Sequence, residues 1–266
     1  DGYLFTNTYL GDYPMFLPGG KEQIAGEYQP GWMLLSYGKK VSVSSSLEGY
    51  PAENIVDEDA RTAWVAQSNR DMEWAQVDLQ RLSSIHAIQV NFDEYGANQK
   101  GAVSGVYQSY LIYASVNGED WSLVVDYGTK KTDTPHDYIE FEEPFKARYI
   151  KLQNKEYMVS ENFSVRDLRI FGKGQGSTPR AVNDFTVERD EADPCKARLC
   201  WEAVPDAQGY IVRYGIAGDK LYNNFQVMGE NTLEIGSLNK GGAYYFTIDA
   251  YNENGITRTS RIKVCR

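Results

Sequence analysis

The sequence predicts an all-β protein made of two β-sandwiches, a jelly roll followed by a smaller immunoglobulin-like sandwich. Three observations carry that prediction. Short runs with period-two alternation recur along the chain with turn signals between them. No segment carries a sustained amphipathic helical period. The stretch Gly172-Lys173-Gly174-Gln175-Gly176-Ser177-Thr178-Pro179 alternates glycine with polar residues and closes on proline, the composition of a linker. Composition agrees: 42% apolar and 24% charged residues over 266 positions exclude wholesale disorder and fibrous architectures. The 20 Tyr and 24 Gly suit strands and turns.

Residues 1–32 form an irregular lead-in, rich in Tyr, Phe, Gly and Pro and without a period. Residues 33–174 are the first sandwich, with strands expected at 73–79, 85–92, 109–115, 122–126, 138–141, 148–152 and 167–171. In the first of these Ala75, Val77 and Leu79 alternate with Gln76 and Asp78, and in the second Ile88, Val90 and Phe92 alternate with Gln89 and Asn91. Residues 175–180 are the linker. Residues 181–266 give seven further runs, at 185–187, 197–202, 209–214, 221–227, 232–235, 243–251 and 257–264, with Trp201, Tyr210, Tyr244, Phe246, Ile248 and Ala250 as inward positions.

A net charge of −10, with no Lys/Arg run longer than a pair such as Lys130-Lys131, removes the electrostatic footprint that nucleic acids or anionic membranes require. The longest apolar cluster, Trp32-Met33-Leu34-Leu35, falls far short of the roughly 20 residues of a membrane span, so no membrane insertion is expected. The opening Asp1-Gly2-Tyr3 reads as a mature chain or as a piece of a longer one.

Three cysteines, none in a CxxC pair or near either histidine at ligand spacing, argue against zinc and iron–sulfur sites. In a seven-strand sandwich the ends of the first and last strands share a pole, so Cys195 and Cys265 are a disulfide candidate; three reduced thiols are the alternative. His86 has the parity of Ile88 and Val90 and reads as a core or interface residue, and His136 follows Pro135 in a turn. Trp64, Trp74 and Trp121 read as core. No carboxylate pair is set in a recognisable pocket, and there is no nucleophile elbow, HExxH or phosphate loop, so no catalytic residue is assigned.

Five blocks in order make residues 37–172 resemble the discoidin-like (coagulation factor C-type) family, which overlaps the family 32 carbohydrate-binding modules. They are Pro51-Ala52-Glu53-Asn54-Ile55-Val56-Asp57-Glu58-Asp59-Ala60-Arg61-Thr62-Ala63-Trp64, Trp74-Ala75-Gln76-Val77-Asp78-Leu79, Ser115-Val116-Asn117-Gly118-Glu119-Asp120-Trp121, Ala147-Arg148-Tyr149-Ile150-Lys151-Leu152 and Val165-Arg166-Asp167-Leu168-Arg169-Ile170-Phe171-Gly172. Leu199-Cys200-Trp201, Gly209-Tyr210-Ile211-Val212 and Leu238 with Tyr244 make the C-terminal part similar to a fibronectin type III domain. The opening from Tyr3-Leu4-Phe5 to Trp32-Met33-Leu34-Leu35 resembles the region after the catalytic propeller of gut-bacterial family 43 glycoside hydrolases.

The resemblance implies a structural calcium site from the side chains of Asp57 and Thr62, backbone oxygens near Ala52 and Asp59, and an acid from the last strand, here Asp167 where the family usually has Glu. Calcium takes six to eight oxygens at about 2.3–2.6 Å, which such a loop supplies. Glu58 stands where glycine is common. The alternative is a turn in which Asn54 and Asp57 cap backbone amides. For sugar binding the candidates are Tyr95, Asn98 and Tyr107 in the long 93–108 insertion, with Arg70 as a charge-assisted donor; an ordinary surface loop is the alternative. The resulting expectation is a non-catalytic carbohydrate-binding and spacer region of a secreted, extracytoplasmic polysaccharide-degrading enzyme, with polysaccharide or glycan and a preceding catalytic domain as partners. The competing expectation is a structural unit that buttresses a catalytic domain and has no sugar site.

Overall fold

The computed structural model describes residues 16–17, 31–97 and 105–266, and among the described residues the named elements are all β strands apart from the short 3-10 turn Ala52–Val56. Leu34–Gln175 forms one compact unit and Gly176–Arg266 belongs to a second. Two short strands, β1 (Phe16–Leu17) and β2 (Trp32–Leu34), pair antiparallel at the N-terminal end.

The first unit contains β3 (Lys40–Val43), β4 (Trp64–Val65), β5 (Trp74–Phe92), β6 (Gln108–Ser115), β7 (Ser122–Tyr127), β8 (His136–Tyr157) and β9 (Ser164–Lys173). All pairings are antiparallel, in the order β9-β5-β8-β6-β7, with β3 on β5 and β4 on β9. The long strands β5 and β8 each serve twice. Residues 74–78 of β5 lie between β3 and residues 149–153 of β8, whereas its second half lies between β9 and the first half of β8. The switch falls where the register shifts between Asp78 and Ser83, with Gln80 at φ 67° and its amide donating to Asp78 Oδ1 at 2.7 Å. A bulge at such a point bends and twists the strand, letting one strand cross between two layers. The inward sets Ala75, Val77, Leu79 and Ile88, Val90 pack with Ile112, Ile150, Leu152 and Ile170, all essentially inaccessible. Each such aliphatic side chain contributes about 1.5–3 kcal/mol relative to exposure.

The expected breaks inside β5 and β8 are therefore bends within continuous strands. Residues 141–144 of β8, with Pro144 among them, fall in the stretch unpaired with β5, so the missing proline N–H costs no β5–β8 bond. His86 sits where β5 shifts register against both neighbours and is half-buried, because the bulge breaks the parity that would have put it with Ile88. Trp64 is fully buried, edge-on to Phe163 at 5.8 Å. Trp74 and Trp121 are not core residues: both are half-buried. Trp74 shares the parity of Gln76 and Asp78, so strand alternation turns it to the face opposite the core. At Gly172 a Cβ would meet the Ser84 carbonyl oxygen at 2.0 Å, so β9 can approach β5 there only with glycine.

The second unit has one sheet of β10 (Phe185–Arg189), β11 (Ala197–Trp201) and, on the far side of β11, β14 (Thr232–Ile235). Its other sheet combines β12 (Gly209–Gly215), β13 (Asn223–Met228), β15 (Tyr244–Asn252), β16 (Gly255–Thr257) and β17 (Lys263–Cys265). Both sheets contribute to one core, in which Trp201, Tyr210, Tyr244, Phe246, Ile248 and Ala250 are buried as their alternation predicts. The expected strand at 257–264 is instead two pieces, β16 and β17, which pair with opposite ends of β15. Between them Thr259 leaves the sheet, its hydroxyl donating to the Val182 carbonyl at 3.1 Å. Cys195, Cys200 and Cys265 are free thiols; Cys265 is buried and the other two are half-buried.

Candidate functional site

The 3-10 turn that starts at buried Ala52 delivers the chain into the acidic loop 57–62. Asp57 Oδ1 accepts the Asp59 amide at 2.8 Å, and Thr62 Oγ1 lies 2.8 Å from Asp57 Oδ2 and 3.0 Å from the Asp59 carbonyl oxygen. Three oxygens, from Asp57, Thr62 and the Asp59 backbone, thus converge. The Asp59 side chain turns away to grip Arg61 at 2.9 and 2.7 Å, and those hydrogen bonds hold its carboxyl down at about 2. Asn54 caps too, donating to the Ala63 carbonyl at 2.8 Å.

Asp167, on β9 opposite Asn91 of β5, is fully buried. Its Oδ2 accepts from Asn91 Nδ2 at 2.8 Å, and Oδ1 has no hydrogen-bond partner among the described residues. Burial pushes its carboxyl up, partly offset by Asn91 and Arg169, and the charge of Asp57 pushes in the same direction as burial.

Glu58 stands between these groups in a left-handed conformation, φ 61°, which costs a non-glycine residue on the order of 1 kcal/mol. Its side chain is buried against Arg169: Nε donates to Oε1 at 3.1 Å, and Nη2 lies 3.1 Å from Oε2. Arg169 Nη1 also donates to Gln89 Oε1 at 3.0 Å. Burial drives the Glu58 carboxyl up to about 7, with Arg169 opposing and Asp167 and Asp57 adding to the rise. Sequence reading marked Glu58 as a departure from glycine but missed its partner, which lies 111 residues away.

Asp57, Glu58 and Asp167 therefore reinforce one another's negative potential, opposed by the Arg169 guanidinium and, at Asp167, by Arg166 as well. Among the described residues no three His, Cys, Asp or Glu side chains converge at metal-holding distance. A cation here would depend on Asp57, Thr62, backbone oxygens and the unpartnered Asp167 oxygen. That donor set is hard and all-oxygen, and it fits calcium.

The second cluster lies at the C-terminal end of β8. Arg70 is exposed beside a cleft of about 490 Å³ lined by Gln67, Ser68, Asp71, Met72 and Glu73. Its loop is firmly held. Asn154 of β8 donates to the Asn69 and Arg70 carbonyls at 2.8 and 3.0 Å, and Asn69 donates to the Ser160 carbonyl at 2.8 Å. The Glu73 carboxylate accepts the hydroxyls of Ser44, Ser45 and Ser68. Met72 is 63% exposed at φ 83°, an apolar side chain held out on a strained backbone.

Tyr107 meets the same end of β8. Its hydroxyl donates to Glu156 Oε1 at 2.5 Å, and Lys131 lies 4.2 Å over its ring, covering one face. Tyr95 is half-buried and packs edge-on against Tyr50 at 4.9 Å. Asn98 lies outside the described residues. Sequence reasoning missed Asn154, Glu156 and Met72. An exposed methionine in an otherwise polar loop was the one available signal.

Residues 40–167 match the F5/8 type C domain family. The chain is 33% identical over 110 residues to lactadherin of Rattus norvegicus, covering 39% of this chain and 25% of that protein. It spans about a quarter of the length of the curated relatives it matches. Among solved structures, chitosan-binding module 2 of a chitosanase/glucanase from Paenibacillus sp. IK-5, in complex with chitotriose, is 20% identical, with a TM-score of 0.44 over 52% of this chain and 99% of that one. The family 32 carbohydrate-binding module of C. perfringens NanJ, in complex with galactose, is 17% identical, with a TM-score of 0.43 over 53% of this chain and 98% of that one.

Proposed function

We propose that the unit carrying the F5/8 type C match, residues 34–175, is a non-catalytic carbohydrate-binding module and that its glycan site is the Arg70 cleft. The observation that carries this reading is the cleft itself: an exposed guanidinium with no ion-pair partner among the described residues, beside an exposed apolar Met72, on a loop pinned by Asn154 and Asn69. Polar forks next to apolar surface on rigid backbone are what a pyranose needs. Tyr95 and Asn98 are further candidate sugar contacts in this reading, and Tyr107, just before β6, braces the neighbouring end of β8 through Glu156.

Asp57, Thr62, the Asp59 and Ala52 carbonyls and Asp167 would hold a structural calcium ion. Such an ion would supply positive charge among the clustered acids of the loop. The second unit is a fibronectin type III-like spacer, and the whole is the accessory region of a secreted glycoside hydrolase whose catalytic domain precedes it in a longer chain. Weak sites tethered in this way raise local substrate concentration near an active site.

Affinity electrophoresis against arabinan, xylan, galactan and pectin, each with calcium and with EDTA, tests the reading. Retardation on at least one gel, lost in Arg70→Ala, is expected. Absence of retardation on all of them overturns it. One observation favours a protein-interaction role for the second unit: Ile216, Tyr222 and Ile262 are exposed by 65%, 78% and 48%.

A further inference from the structure

The face of the first unit opposite its core carries a row of side chains that neither the calcium loop nor the Arg70 cleft uses. Lys151 of β8 is paired across the sheet with Gln76 of β5 on one side and Tyr113 of β6 on the other. Its ammonium lies 3.8 Å from the centre of the Trp121 ring and 5.4 Å from that of Trp74. All five side chains are half-buried.

The neighbouring cations are engaged. Arg148 forks onto Asp78 at 2.7 and 2.8 Å, and Lys155 is paired with Asp71 at 2.5 Å. Lys151 is held by ring faces, and among the described residues no carboxylate lies within ion-pairing distance of it. Consistent with that, partial burial lowers its affinity for its proton with no opposing charge to restore it. An ammonium fixed between two indoles, with an amide and a phenol alongside, offers one charge, two apolar platforms and two further hydrogen-bonding groups.

We infer that this face is a second glycan-binding surface, whose ligand is a mostly neutral chain bearing an isolated uronic acid. The indoles stack on pyranose faces, the Lys151 ammonium pairs with the sugar carboxylate, and Gln76 and Tyr113 meet hydroxyls. The net charge of −10 opposes a densely charged polyanion, and for that reason the ligand carries sparse charge. The inference rests on the carbohydrate-binding reading but not on the Arg70 cleft.

The test follows the indole N–H resonances of the full chain by NMR, assigned with Trp74→Phe and Trp121→Phe. The probes are xylotriose bearing one glucuronic acid and the methyl ester of the same oligosaccharide. Saturable shifts of the Trp74 and Trp121 resonances by the acid are expected, about tenfold weaker for the ester and for Lys151→Met. Binding is retained in Lys151→Arg and in Arg70→Ala, and the spectra themselves report whether each variant is folded. Unchanged Trp74 and Trp121 resonances at millimolar acid overturn the inference, as does an equal response to acid and ester. Acid binding lost in Arg70→Ala but kept in Lys151→Met also overturns it, and in that case leaves the cleft reading standing.

Discussion

Glu58 concentrates the physics of the acidic 57–62 loop in one side chain. Its folded-state carboxyl is held at about 7 against 4.5 for a free glutamate, so the folded protein takes up a proton that the unfolded chain does not. The sign follows: stability is greatest below the unfolded value and is lost as pH rises through about 7. Burial pushes Asp167 and Asp249 the same way. In EDTA, the melting temperature is therefore expected to rise as pH falls from 8 towards 5.5, about in the range where Glu58 titrates, and Glu58→Gln should flatten that slope. Calcium should raise the melting temperature most at high pH, where the acids are ionised, and Asp57→Asn should abolish the calcium increment. A second residue-scale test concerns packing. Gly172→Ala sets a methyl group 2.0 Å from the Ser84 oxygen. A loss of about 3 kcal/mol by urea denaturation is expected.

At the scale of elements, the Arg70 loop is held by a residue that faces no ligand. Asn154 is fully buried and bonds the carbonyls of Asn69 and Arg70, so Asn154→Ala removes the loop's anchor, taking the side-chain donor from the Asn69 carbonyl and leaving the Arg70 carbonyl with the Glu73 amide. It should destabilise the first unit by about 1–3 kcal/mol and reduce retention on polysaccharide to nearly the level of Arg70→Ala, as measured on the same gels. The strands themselves were largely legible, because one buried face writes alternation into sequence: Ala75, Val77, Leu79 and Ile88, Val90 are inward as read. What alternation does not reveal is where a strand bends without ending. The Asp78–Ser83 and His86 irregularities look like breaks in sequence, yet β5 runs through both. Trp74 lies inside a strand motif but on the face that Gln76 and Asp78 mark as polar, and parity rather than membership of the strand decides its burial. β4 has two residues, too few to show a period. Within the acidic loop, the proximity of Asp57, Asp59 and Thr62 was legible because the loop is local. The Glu58–Arg169 pair and the Asn154 anchor were not, since each joins segments more than 80 residues apart that only the folded sheet brings together.

At the scale of the whole molecule, the two units have separate cores, and the proposed calcium loop belongs to the first alone. Calorimetry of the full chain is expected to show two transitions, of which EDTA lowers only one; a shift of both by the same amount would contradict a calcium site confined to residues 34–175. The order in which the first unit's strands occur along the chain has a temporal consequence. The second half of β5, complete at residue 92, is flanked on one side by β9, which begins only at residue 164. During synthesis Ile88 and Val90 therefore wait, with one edge of their strand unpaired, until some eighty further residues have emerged. Contacts so distant in sequence make refolding slow, on the order of milliseconds to seconds, and leave a sticky edge exposed meanwhile. A chain ending before residue 164 should accumulate as aggregate, whereas one reaching residue 175 should leave the ribosome with that edge closed.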